Sequence, residues 1–448
     1  MCVRRSTLEA HSVLFPRGLG WIRESSSRLS TQLTKKTGTN GITSHRRSLS
    51  DGALSTEAWK VLSQALPSRR HLAVLLDAAA YPIERQYEAF YTTITMLYAP
   101  YLGPASRASG DTAQWKSMLQ LDGTPFEFSW KWNAPDGEPD GRISLEPIVP
   151  MAGTALDPLN HSTTPTLFDH DYAKYTEEAA RDALIGTSLT YFQPHMLNQH
   201  GLLDIPRWEA SFQKLHPDAP SRMALREFMA TSPEGKLLKP FCLSVDNCDL
   251  SKARPKWYFN SPRINFTAIR EIMTLGGRIP ATEMRERQFK DLLDLLRTLA
   301  EQPADFPENS EFPFTSSNND SALDSFAEMA DMLKRCVYFF DIAPGKSLPE
   351  IKLYFPVRNH CRNDLAATQN LIQWLNSGGR GQYGPSFLRA LEAVADYRRL
   401  DEGGGLQSFV SCQFKSDGDL DLTSYFNPEA FRSARLTNRR STRRRGDW

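Results

Sequence analysis

The segment PFEFSWKW, residues 125–132, constrains this chain more than any other. Successive side chains of a strand point to opposite faces, so Phe126, Phe128, Trp130 and Trp132 form one face and Glu127, Ser129 and Lys131 the other. A helix would scatter the four aromatic rings around its axis. The polar Asn133 to Gly141 loop leads into the alternating RISLEPI (142–148), which completes a hairpin. The unit recurs. Residues 240–259 read as two strands around a polar turn, IKLYFPV (351–357) as a strand, and QSFVSCQFK (407–415) with LTSYFNP (422–428) as a further pair. Helical spacing marks 57–66, 71–99 with a break at Pro82, 265–274 stopping at Gly276-Gly277, 282–302, 322–340, 363–376 and 386–399. Helices alternating with strand pairs predict an α+β fold, an antiparallel sheet covered on one side by helices.

The other side of that sheet holds an unusual set: Glu127; Arg142; Arg254, Lys256 and Tyr258; Lys352 and Tyr354; Lys415; Tyr425. On an open sheet these would be a solvated face. In a closed barrel they would line a lumen. Several Arg and Lys side chains in a lumen suit an anion with many oxygens, and tyrosine rings offer π faces to a cation. An anion clamp, an aromatic cage and one carboxylate are together suited to ionising an allylic diphosphate and trapping the carbocation on an electron-rich ring.

Composition narrows the classes. The 53 Lys+Arg against 52 Asp+Glu exclude a polycation that coats nucleic acid. Basic residues are concentrated at the ends, nine against two acidic in residues 1–50 and seven against one in 432–448, so the body is acidic and its strand cations are locally placed. Residues 1–56 read as a basic extension without fixed structure, 57–429 as one barrel domain, and 430–448 as a basic tail. The Arg- and Ser-rich start is also the composition of an organelle transit peptide, but a soluble, cytoplasmic chain is the expectation, since no apolar run reaches the ~18–20 residues of a membrane span. The six cysteines have no paired spacing and read as reduced thiols, with no metal site.

The segment LSVDNCDLSKARPKWYFNSPRINFTAIREIMTLGGR (243–278) resembles the central signature of the fungal dimethylallyltryptophan synthase family of aromatic prenyltransferases. DGTPFEFSWKW (122–132), RISLEP (142–147), GTALDPLN (153–160), LYFPVRNHCRND (353–364) and QSFVSCQFKSDGDLDLTSYFNPE (407–429) match it in the right order. The resemblance implies an antiparallel ten-stranded β-barrel ringed by helices, the ABBA barrel of repeated αββα units. It implies transfer of a prenyl group, foremost dimethylallyl, from its diphosphate to an indole or tryptophan derivative in alkaloid biosynthesis. No cofactor or obligatory metal is implied, and the chain has no DDxxD or NDxxD motif. The implied partners are a prenyl diphosphate and an aromatic small molecule, with no nucleic acid or membrane, in a monomer or homodimer.

Residue by residue, the resemblance makes Glu127 the carboxylate that takes the acceptor's N–H or O–H; the alternative is an ion pair with Lys131 on the same strand face. Arg142, Arg254, Lys256, Lys352 and Lys415 fall at diphosphate-binding positions, together with Tyr258, Tyr354 and Tyr425. Tyr191, Tyr258, Tyr354 and Tyr425 match the shield around the cation, and Met118 and Leu119 the acceptor pocket. The chain departs from the family at Leu189, where a lysine is usual, and at Gln193 and Phe409, where tyrosines are. The interval from Asn160 to Tyr191 is short, and the arginine that holds an amino-acid carboxylate has only Lys239 near it. These departures keep open a second reading, a barrel that binds ligand without turnover.

Overall fold

The structure, a computed structural model, describes residues 8–14, 71–90, 117, 119–120, 122–133, 137–145, 155–156, 187–193, 213, 219–246, 254–315, 334–430 and 432. The expected helices at 57–66 and 322–333, the end of the 71–99 stretch and Met118 lie outside these residues. Ten strands run β1 Leu8–Leu14, β2 Phe126–Trp132, β3 Asp140–Leu145, β4 Thr187–Gln193, β5 Lys239–Asp246, β6 Pro255–Ser261, β7 Cys336–Asp341, β8 Glu350–Phe355, β9 Gln407–Phe414 and β10 Leu420–Phe426. The helices are α1 Ile83–Phe90, α2 Pro220–Thr231, α3 Phe266–Met273, α4 Glu283–Leu299, the single turn α5 Val357–His360, α6 Asp364–Ser377 and α7 Gly384–Val394, with a further helical stretch at 71–78.

Eight strands form one continuous antiparallel sheet in the order β3-β2-β10-β9-β8-β7-β6-β5. β1 pairs with β3 and β4, and β4 with β5, so the order of neighbours returns on itself. Side-chain alternation separates two apolar clusters. The outward cluster joins Phe126, Phe128, Trp130, Trp132, Trp257, Phe259, Tyr338, Phe340, Leu353, Phe355 and Phe426 to the buried faces of the helices. Phe387 of α7 lies with its ring 5.3 Å from Trp130 and 5.0 Å from Trp132, so the hairpin read from the sequence is the wall against which that helix packs. The second, smaller cluster, Cys242, Tyr258, Val337 and Phe339 with Phe241, Tyr354 and Phe409 against it, lies on the opposite face of the sheet.

Helix ends follow local chemistry. Asn265, Thr282 and Asn363 cap α3, α4 and α6, each side chain accepting a backbone N–H three residues on. α3 stops where Leu275, Gly276 and Gly277 take positive φ, as the glycine pair predicts. Pro82 separates the 71–78 helix from α1 as expected.

Three expectations are corrected. The 322–340 stretch is not helical to its end, because 336–341 is strand β7. All six of its residues are buried, so neither face shows the polar half that reveals a strand. The strand read over 351–357 ends at Phe355, and Val357 begins the turn α5. The terminal segments are not wholly outside the fold. β1 sits in the stretch read as an unstructured extension, and Arg432, in the stretch read as a tail, pairs with Glu429 at 2.5 Å.

Candidate active site

β2 carries Glu127 on the face opposite the aromatic wall. Its Oε1 accepts from Gln120 Nε2 at 3.0 Å and from Ser408 Oγ at 3.2 Å. Burial raises its pKa from 4.5 to about 7, against the pull of those two hydrogen bonds and of the Arg358 charge. The alternative pairing with Lys131 does not occur: Lys131 Nζ lies 3.5 Å from Asp421 Oδ2 on β10. Glu127 is therefore a carboxyl held by two donors and poised near neutrality, the condition a general base requires.

The cations fall into two groups on the same face. Arg142 lies opposite Ser129, and Ser129 opposite Tyr425. Lys352, 5% exposed, feels the positive charges of Arg142 and Lys131 and the opposing charge of Asp421. Burial first, then those like charges, lower its pKa to about 8. Lys256 forms the second group. It is buried opposite Asp341, whose Oδ2 takes Arg254 Nη1 at 3.0 Å. Arg254 precedes β6 and its side chain is 45% exposed, so it stands at the rim. Lys415 sits past the end of β9, its backbone N–H donating to Asp419 O at 3.0 Å and its carbonyl accepting from Gln288 at 2.7 Å.

The rings lie on the same face of the sheet as the carboxylate and the cations. Tyr354 is 5.4 Å from Tyr425, 6.1 Å from Tyr258 and 6.2 Å from Phe409, and Phe339 is 5.4 Å from Tyr258. This wall spans β6 to β10 and presents π faces that can stabilise a cation without a nucleophile strong enough to capture it. Phe409 holds its place in it through the ring alone. Burial raises the pKa of Tyr425, so its hydroxyl stays protonated at neutral pH. Tyr191 is in β4 opposite Ala10 and Ser244, and its side chain lies outside the described residues. Leu119 is half-buried beside Gln120, the donor to Glu127.

Several site residues escaped sequence reading. Asp421 was within reach, since it alternates in step with Tyr425, and Lys131 was placed on the right face but paired with Glu127 rather than with Asp421. Gln120 and Arg358 come from outside the strands, where no period points to them. Ser408 carries no strand signal because a register shift moves it. Among the described residues, no group of three or more His, Cys, Asp and Glu is placed to hold a metal ion.

The tryptophan dimethylallyltransferase family profile matches residues 67–184 and 190–390. A relative from Emericella nidulans named xanthone prenyltransferase B is 62% identical, over 91% of this chain and 99% of its own length. Prenyltransferase anuH from Penicillium roqueforti is 40% identical over 88% and 98%. Among solved structures, AnaPT from Neosartorya fischeri superposes with a TM-score of 0.63 at 21% identity, covering 85% of this chain and 96% of its own. NotF in complex with brevianamide F and DMSPP gives 0.59 at 18%, covering 85% and 97%. The structural likenesses carry the fold, and the profile and the two relatives carry the family: this chain belongs to the tryptophan dimethylallyltransferase family and is an aromatic prenyltransferase.

Proposed function

We propose that this chain transfers a dimethylallyl group from its diphosphate to a hydroxylated polycyclic aromatic acceptor, inside its ten-stranded barrel and without an obligatory metal ion. The observation that carries the reading is the arrangement of Glu127, the ring wall and the Arg142–Lys352 and Lys256–Arg254 groups on one face of the sheet. The phenolic acceptor replaces the indole derivative of the sequence reading. A relative 62% identical bears the name of a xanthone prenyltransferase, and no arginine stands where an amino-acid carboxylate would need one.

The C–O bond of the allylic diphosphate breaks heterolytically, and the diphosphate leaves with the electron pair. Arg142, Lys256 and Lys352 meet the charge as it develops, which is electrostatic catalysis by donors already in place. Tyr258, Tyr354, Tyr425 and Phe409 shelter the allyl cation from water, whose attack is the competing reaction. Glu127 takes the acceptor's O–H proton, which enriches the ring; the ring then bonds the cation, the proton on the bonded carbon passes to the departed diphosphate to recover aromaticity, and Glu127 returns its proton to the phenolate oxygen. The cations supply the charge neutralisation that Asp-bound metal would supply elsewhere, which supports metal independence.

The two titrations bound the pH range. Glu127 acts when deprotonated, so kcat/KM should rise through about pH 7; Lys352 binds the donor when protonated, so it should fall above about pH 8. A narrow bell is expected. Lys352→Arg should remove the alkaline limb, because the guanidinium keeps its proton throughout this range. An alkaline limb unchanged in that variant would remove Lys352 from donor binding.

One observation favours a second reading, ligand binding without turnover. The 464 aligned positions with the Emericella nidulans relative span only 91% of the 448 residues here and 99% of that relative, so it carries residues with no counterpart in this chain. Tight donor binding with no product from any phenol or indole would favour it.

A further inference from the structure

The hydroxyl that reaches Glu127 is placed by contacts that begin outside the barrel. Phe426 lies opposite Gln407 and Tyr425 opposite Phe409, so Ser408 is the extra residue of a β-bulge. In a regular strand Gln407 and Phe409 would share one face and Ser408 would take the other. Here Phe409 joins the inner ring wall and Ser408 donates to Glu127, while Gln407 turns outward to α6. Gln407 is clasped there at three points. Its backbone N–H donates to Asp364 Oδ1 at 2.9 Å, and its side-chain Nε2 donates to Asp364 O and to Thr368 Oγ1, each at 2.9 Å. Leu406 N–H adds a bond of 3.2 Å to Asp364 Oδ2, which Arg398 Nη2 holds from the far side.

We propose that Gln407 and Asp364 are positioning residues, which clamp the bulge to the first turn of α6 and so hold the Ser408 hydroxyl on the Glu127 carboxylate, fixing its orientation and proton affinity. The proposal rests on the reading of Glu127 as the base. Other groups also face Glu127: Gln120 from the segment before β2, the Arg358 cation from α5, and the Tyr425 hydroxyl from β10. Arg358 in turn feels Glu429, Asp364 and Asp122. Of these, Ser408 is the contact routed through the bulge, so disturbing the clasp should reproduce the loss of that one hydroxyl.

The test compares Ser408→Ala, Gln407→Leu, the double variant and Glu127→Gln in the full chain, with kcat, KM and pH profile read for each and the thermal midpoint recorded alongside. Ser408 donates to the ionised carboxylate, so its loss disfavours that form and moves the acidic limb upward. A shift of about one pH unit is expected, with kcat at neutral pH about tenfold lower and donor KM unchanged. Gln407→Leu should do the same, and the double variant no more than Ser408→Ala alone. Thr368→Val, a milder loosening of the clasp, should move the limb in the same direction and guards against a Gln407 variant that fails to fold. A lower thermal midpoint with an unmoved limb in Gln407→Leu and Thr368→Val, or additive losses in the double variant, would overturn the proposal. Full activity in Glu127→Gln would instead remove the base reading beneath it; an inactive Glu127→Gln with unmoved limbs would leave the base and remove the clamp.

Discussion

Glu127→Gln is expected to lower product formation by about 10²–10⁴-fold while leaving donor binding intact. The carboxamide keeps the volume of the side chain and one oxygen that can accept from Gln120 and Ser408, so the local packing survives. What is lost is the ability to take a proton. The near-neutral pKa of the carboxyl has a stated origin, since burial outweighs the two hydrogen bonds and the Arg358 charge. A fluorescence titration with a non-hydrolysable donor analogue separates the two effects. Loss of donor binding in this variant would mean that Glu127 supports the site rather than acting on the acceptor.

Arg398→Met is expected to destabilise the fold by about 3–5 kcal/mol. Arg398 Nη2 lies 2.5 Å from Asp364 Oδ2 and 3.1 Å from Glu429 Oε2, and both carboxylate side chains are only 2% exposed. Tyr397 also donates to Glu429, and Arg432 Nη1 reaches its other oxygen. Burial first, and the Asp364 charge after it, push the Glu429 carboxyl up in pKa, and Arg398 and Arg432 are the charges that oppose this. Removing Arg398 leaves two buried carboxylates with the Arg432 contact to Glu429, the Arg358 charge and a few N–H donors, which costs more than an exposed pair ever returns. The cluster ties α6, the start of β9 and the segment after β10 into one unit, so urea unfolding should show a lower midpoint with an unchanged slope. A loss under about 1 kcal/mol would mean that the remaining donors suffice.

These two sites differ in how far the sequence revealed them. Glu127 was legible because Phe126, Phe128, Trp130 and Trp132 fix the outward face of β2, which leaves Glu127 inward. The same alternation located Arg142, Lys256, Lys352, Tyr258, Tyr354 and Tyr425. β7 was read as part of a helix because burial on both faces erases the alternation, and its Phe339 and Asp341 went unnamed with it. β1 lies in a short stretch whose apolar residues follow no clean period, within a basic context that argues for disorder. Lys415 shared the right parity but lies beyond the last paired residue of its strand, where parity no longer sets direction. The Asp364–Arg398–Glu429 cluster joins residues up to 65 positions apart, and no local pattern announces such a meeting. Ser408 was hidden for a different reason: a bulge changes which residue faces inward, and only the register shows it.

The most direct test of the account is an incubation of the full chain with dimethylallyl diphosphate and a panel of xanthones, other phenols and indoles, with EDTA present, followed by structure determination of any product. The expected product is a dimethylallylated aromatic ring from a hydroxylated polycyclic acceptor, formed at the same rate with and without EDTA and lost in Glu127→Gln. Dimethylallyl diphosphate bound but unconsumed with every acceptor, or turnover that EDTA abolishes, would contradict it.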